Sequence, residues 1–113
     1  MDQFREIFIY KRYFLDFYDQ SESDVQSKIE WTLNLIQYTQ RVPIKYLRYL
    51  EGTFGLYEIR VELKSNIYRI FCFFDNDKLV ILCNGFQKKS QKTPKREIER
   101  ALRIKREYQN ERQ

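Results

Sequence analysis

Residues 56–86 read LYEIRVELKSNIYRIFCFFDNDKLVILCNGF, and the reading of this stretch decides the fold. It divides into three β-like runs, Leu56–Leu63, Ile67–Asp75 and Lys78–Phe86, rich in branched and aromatic residues. The breaks between them, Lys64-Ser65-Asn66 and Asn76-Asp77, are short enough only for antiparallel hairpins. Alternation sends Tyr57, Ile59, Val61 and Leu63 to one side of the first run, and Glu58, Arg60 and Glu62 to the other. In the second run Tyr68, Ile70, Cys72 and Phe74 form the matching core set, with Arg69, Phe71 and Phe73 opposite. Core faces must align across a hairpin, because a slip of one residue would expose every core side chain. Arg60 and Arg69 therefore share a face, and a four-residue loop sets them directly opposite one another.

Upstream, residues 5–10 (REIFIY) read as a short strand. Residues 11–18 carry Tyr13, Phe14, Phe17 and Tyr18 at the spacing of a short helix face. Ser21 with Asp24, and Ser23 with Gln26, offer capping-box spacing for a second helix running to about Gln40. Its buried stripe is Val25, Ile29, Leu33 and Ile36, and Pro43 marks the stop. A polar-aromatic connection from Ile44 to Gly55 contains Lys45 and Arg48. Downstream, Thr93 is the expected N-cap and Pro94 the first position of a last helix, with Ile98, Ala101, Leu102 and Tyr108 facing inward. The predicted order is β-α-α-β-β-β-α, an α+β fold with a mostly antiparallel sheet in one domain spanning residues 1–113.

Composition narrows the function classes. With 42% hydrophobic and 17% aromatic residues, the 113-residue chain has the material for a packed core and is not a disordered segment. No apolar run approaches the roughly 18 residues of a membrane span, and Met1 leads straight into charged residues, so a cytoplasmic protein is expected. Cys72 and Cys83 lie in apolar runs. A hairpin turning near Asn76 places Cys72 opposite about Val80 and Cys83 opposite about Arg69, too far apart to bridge, so free buried thiols are expected. With no His and two Cys, no zinc, haem or other cofactor is expected. The net charge of +5 is unevenly placed. Residues 1–86 hold 11 basic and 12 acidic side chains, whereas residues 87–113 hold 10 and 4. A basic end on a neutral body suits a polyanion or an acidic protein partner, and equally describes a solvated helix.

Two arginines facing each other on a sheet repel. Either an anion lies between them, in a phosphate clamp of guanidinium forks, or Glu58 and Glu62 neutralise them in an Arg/Glu lattice. Phe71 and Phe73 beside them form a platform for unstacked bases, unless a helix covers them. The loop Gln87-Lys88-Lys89-Ser90-Gln91-Lys92 places three lysines between the last strand and a helix N-terminus, where free backbone N–H groups add to anion attraction.

The run Gly55-Leu56-Tyr57-Glu58-Ile59-Arg60, then Tyr68-Arg69-Ile70-Phe71, then Leu82 through Gly85-Phe86-Gln87-Lys88-Lys89 to Thr93-Pro94, and finally Glu97-Ile98-Glu99-Arg100-Ala101, resembles a known pattern. It is similar to the phage-derived HigB-like branch of the RelE/ParE toxin superfamily. The similarity is strong from about Lys45 to Tyr108 and rests on element order before that. It implies a RelE-like fold and a type II toxin that cleaves mRNA, commonly at the ribosome. The implied partner is a cognate HigA-like antitoxin with a helix-turn-helix domain. By position, Arg69 matches the arginine of the family's Tyr-Arg strand motif, Arg60 a basic position on the preceding strand, and Lys88, Lys89 and Lys92 the basic loop. Glu58 departs from the pattern, standing where some RelE-type enzymes have a basic residue.

A nuclease without metal or histidine must use the 2′-hydroxyl of the RNA as nucleophile. In that reading Arg60 and Arg69 hold the phosphate and Lys89 and its neighbours stabilise the leaving oxygen. Phe71 stacks a base, while Lys45, Arg48, Lys88 and Lys92 contact RNA. Glu58 is either the general base or a charge partner for the arginines. Arg69→Ala is then expected to abolish toxicity while leaving the fold intact. The alternatives are a ParE-like gyrase poison and a non-catalytic RNA- or protein-binding module of the same fold.

Overall fold

A computed structural model of the chain describes residues 1–89, 92 and 94–112. The elements are β1 (Glu6–Ile9), α1 (Tyr13–Gln20), α2 (Ser23–Tyr38), β2 (Leu47–Tyr49), β3 (Tyr57–Leu63), β4 (Asn66–Asn76), β5 (Leu79–Lys88) and α3 (Lys95–Glu111). They form a five-stranded sheet of order β1-β5-β4-β3-β2. Only β1, which pairs with β5, runs parallel to its neighbour, so the α+β, mostly antiparallel, RelE-like fold expected from the sequence is the fold observed. Among the described residues no helix is long and apolar enough to cross a membrane.

Three layers result. On one face α1 and α2 bring Phe14, Val25, Ile29 and Ile36 onto Ile59, Val61, Ile70, Cys72, Val80 and Leu82. On the other, α3 lays Ala101, Ile104 and Tyr108 over Leu56, Phe71, Phe73, Ile81 and Cys83. Covering both faces explains why β4 and β5 read as nearly continuous apolar runs, IFCFF and LVILC, where a half-solvated strand would alternate. Of the two readings of Phe71 and Phe73, a base platform or rings covered by a helix, the second holds: they are 0% and 1% exposed beneath α3. Each such burial stabilises the fold by roughly 1.5–3 kcal/mol.

Several expectations about local structure are corrected. Leu47–Tyr49 is a strand, not a connection; β3 offers it an open edge, and Arg48 pairs with Glu58. The capping boxes do not form: Ser21 Oγ donates to Phe17 O, and α2 has Glu22 at its N-cap with no side-chain cap bond. Pro94 is the N-cap of α3 rather than its first helical residue, so the helix starts one position later than expected, and Thr93 lies outside the described residues. The β4–β5 register places Cys72 opposite Leu82 and Arg69 opposite Phe86, because the turn falls at Asp77-Lys78 and two irregularities shift the pairing. Cys72 and Cys83 thus belong to opposite faces. Both are free and buried, as expected, and burial pushes the Cys83 thiol up to about 12.

Candidate nucleic-acid interface

The β3–β4 turn sets the register that builds the site. Lys64 and Ser65 both take left-handed backbone, with φ of 50° and 70°, giving the tight two-residue hairpin that matches strand twist. Leu63 then pairs with Asn66 and Arg60 with Arg69, the juxtaposition expected from alternation. On the α3 side of the sheet this register generates three successive cross-strand rows. The first is Arg48, Glu58 and Phe71; the second is Arg60, Arg69 and Phe86; the third is Glu62, Ile67 and Lys88.

The carboxylates settle how two facing arginines coexist. Arg69 donates from Nη1 to Glu58 Oε1, and Arg48 Nη2 lies 3.5 Å from the same oxygen. Arg60 Nη2 lies 3.4 Å from Glu62 Oε1. The lattice reading describes these contacts. It does not exhaust the charge, since among the described residues Arg48, Arg60 and Arg69 form ion pairs with two carboxylates, Glu58 and Glu62, and Lys88 adds a fourth cation. Nor does it satisfy every polar atom: Glu58 Oε2, Arg60 Nε and Arg69 Nε are buried without a hydrogen-bond partner. A buried polar group left unpaired costs about 1–3 kcal/mol. Three of them lie in the first two rows, so the arginine–carboxylate lattice leaves part of its hydrogen-bonding capacity unused.

Lys88 closes the group from the end of β5. Its pKa is lowered by partial desolvation, and next by the positive charge of Arg69, with Arg60 and Arg48 adding to the effect against Glu58. A lysine pressed among arginines gives up its proton more readily than a free one, which suits it to proton transfer at a phosphate. Phe86, in ring contact with Phe71 at 5.4 Å, joins this face to the core under α3. Buried Asn84 donates from Nδ2 to Glu97 O and Oε1, pinning the first turn of α3 beside the site.

The structure brings together Arg48, Glu58, Arg60, Arg69 and Lys88. Phe71 shares the first row, but its ring is fully buried and inaccessible to a base. Lys89 is exposed and borders a cleft of about 860 Å³ beneath α1, shared with Phe17, Tyr68, Phe86 and Arg100 but with none of Arg48, Arg60 and Arg69. Lys92 is exposed in the connection to α3. Lys45 stands beyond the β3 edge, with its Nζ 5.6 Å from the Tyr46 ring. Lys88 belongs to the strand face rather than to the loop, a placement that the i, i+2 step from Phe86 already encodes. The premise of the Arg69→Ala expectation, a side chain clear of the packed interior, is corrected: Arg69 is 5% exposed and paired with buried Glu58.

Compared with curated proteins, the chain matches none. Residues 16–106, which include every residue of the arginine rows, match the family described as phage derived protein Gp49-like (DUF891). The chain belongs to that phage-derived Gp49-like family, a family associated with RelE and toxin-like proteins.

Proposed function

We propose that the protein is the toxin of a type II toxin–antitoxin pair, similar to the HigB-like branch, and that it cleaves mRNA by in-line attack of the 2′-hydroxyl. The observation that carries this reading is the cluster of Arg48, Arg60, Arg69 and Lys88 around one buried carboxylate, with three unpartnered polar atoms among them. Arg60, half-buried and at the β3 edge, meets the scissile phosphate, and Arg69 adds its charge from beneath. Glu58 positions Arg69, and Lys88 delivers a proton to the departing 5′-oxygen. The 2′-hydroxyl gives up its proton to solvent water as its oxygen bonds to phosphorus and the bond to the 5′-oxygen breaks. The products are a 2′,3′-cyclic phosphate and a 5′-hydroxyl. An adjacent antitoxin with an acidic segment is the expected partner, because the cationic rows give it charge to neutralise.

A single 2′-deoxy substitution at the cut site tests the chemistry, with mRNA or ribosome-bound mRNA as substrate and gyrase supercoiling assayed in parallel. Expected are loss of cleavage at that bond, a 5′-hydroxyl on the downstream fragment and unaffected gyrase. Cleavage of the deoxy substrate, or a 5′-phosphate, rejects the mechanism. Gyrase inhibition without RNA cleavage rejects the ribonuclease reading as a whole.

A further inference from the structure

Around the edge of β3 from Arg60 stands a second group of residues. Trp31, the chain's one tryptophan, lies on α2 and is 48% exposed, an unusual place for so large a ring. Tyr46 meets it edge-on, with ring centroids 5.8 Å apart. Lys28 Nζ sits 4.0 Å from the Trp31 ring centroid, and Lys45 attends Tyr46. A cavity of about 170 Å³ lined by Lys28, Thr32, Lys45, Tyr46, Arg60 and Glu62 joins this group to the arginine rows. Arg60 belongs to both places. Its backbone N–H donates to Tyr46 O at 3.0 Å, so the aromatic pair is fixed to the strand that carries the phosphate-binding arginine.

The chemistry of the patch is selective. Three and four positions from Trp31 on α2 stand Ser27, Lys28, Asn34 and Leu35, none of them acidic. The cavity's carboxylate, Glu62, is already paired with Arg60. A protein-binding hot spot surrounds its aromatic anchor with contacts that exclude water, whereas here the neighbours are mostly polar or cationic. Lys28 Nζ stands over one face of the Trp31 ring and Lys45 Nζ over that of Tyr46, and such rings and ammonium groups match a nucleobase on a free face and its phosphate beside the cations, the pairing that single-strand binders use.

We propose that Trp31 and Tyr46, flanked by Lys28 and Lys45, form a stacking shelf for an unpaired base of the RNA strand whose phosphate lies at Arg60. The proposal rests on the RNA reading above and adds a binding subsite to it. The strand runs from the sheet face around the β3 edge to α2, so that substrate is held on both sides of the strand edge. Duplex RNA, whose bases are already stacked, does not use the shelf.

Because Trp31 is the sole tryptophan, its emission reports directly on stacking. The probe is a short single-stranded RNA with 2′-O-methyl riboses throughout, which blocks in-line attack. Binding is followed by anisotropy of a 5′-fluorescein label, and tryptophan emission is followed with unlabelled RNA. We expect saturable quenching with the same midpoint as the anisotropy, about tenfold weaker binding for Trp31→Ala, a smaller loss for Trp31→Phe, and no quenching by the duplex. If RNA binds while Trp31 emission stays unchanged and Trp31→Ala binds like wild type, the shelf is wrong and the RNA reading stands. If the RNA does not bind at all, both fall. If Trp31→Ala keeps its RNA affinity but loses a co-expressed antitoxin, the surface is a protein dock and the proposal is overturned.

Discussion

Arg69 and Glu58 meet with almost no access to water, at 5% and 2% exposure. Deleting one partner of a buried pair leaves an uncompensated charge, which costs about 3–5 kcal/mol, whereas replacing both with apolar groups of similar volume is often neutral. Arg69→Ala should therefore lower the urea midpoint strongly, and the double replacement Glu58→Leu with Arg69→Met should recover most of the loss without recovering cleavage. An Arg69→Ala protein as stable as wild type would show that the pair is not buried in solution. Lys88 makes a separate prediction. As the proton donor it must be charged, so cleavage should fall as pH rises through its depressed pKa, below the ordinary lysine value of 10.5. Lys88→Arg should lose that alkaline limb, since arginine stays protonated, and Lys88→Gln should be slower by about 10²–10⁴ at pH values below the Lys88 pKa, with the gap closing above it. An alkaline limb that persists in Lys88→Arg would assign the proton to another group. The residue types of the site were legible in the sequence, and so was the facing of Arg60 and Arg69. Glu58 was legible as a charge partner for the arginines, but not as the partner of Arg69 in particular: the two are 11 positions apart and diagonal across β3 and β4. Alternation shows that they share a face, and only the twist and packing choose which charge meets which.

At the scale of elements, α1 owes its seat on β5 to Gly85. A Cβ there would stand 2.5 Å from Phe17 Cδ2 and 2.8 Å from Cγ, closer than real contacts allow. Gly85→Ala should cost roughly 1–3 kcal/mol by overpacking, measured by chemical unfolding, and Phe17→Leu in the same chain should relieve part of it. An unaffected Gly85→Ala would mean that α1 shifts freely. The ends of α2 show where local signals stop. Its first turn lacks the boxes that the serines promised, and its last carbonyls are closed from a distance. The Arg5 guanidinium donates to Ile36 O, Thr39 O and Gln40 O at 3.1, 2.7 and 2.8 Å. A capping partner more than 30 residues away leaves no trace in the local pattern. The strand Leu47–Tyr49 was hidden for a related reason: three residues carry too little periodicity, and the open edge of β3 supplies the partner.

Across the whole molecule, charge is placed where it does different work. The basic excess lies in residues 87–113, yet three of the four cations in the rows, Arg48, Arg60 and Arg69, come from the nearly neutral body. Replacing Lys88, Lys89 and Lys92 by Gln should flatten the salt dependence of single-stranded RNA binding by about 2 in the log–log slope, since each phosphate contact contributes roughly 0.7. An unchanged slope would show that this segment does not touch the backbone. The sequence by itself determined the strand runs, the antiparallel meander, the facing of Arg60 and Arg69 and the two free cysteines, because period-2 alternation and short turns are local properties that tertiary contacts had only to respect. Tertiary structure alone decided three further things. The return of α3 closed the second face of the sheet and took Phe71 and Phe73 out of reach. The parallel docking of β1 placed the N-terminal strand beside β5. The cross-strand rows turned a repulsive arginine pair into a partly neutralised cationic site, with Lys88 at its edge. Each depends on which distant segment covers a given surface, and strand alternation specifies a face without specifying what lies upon it.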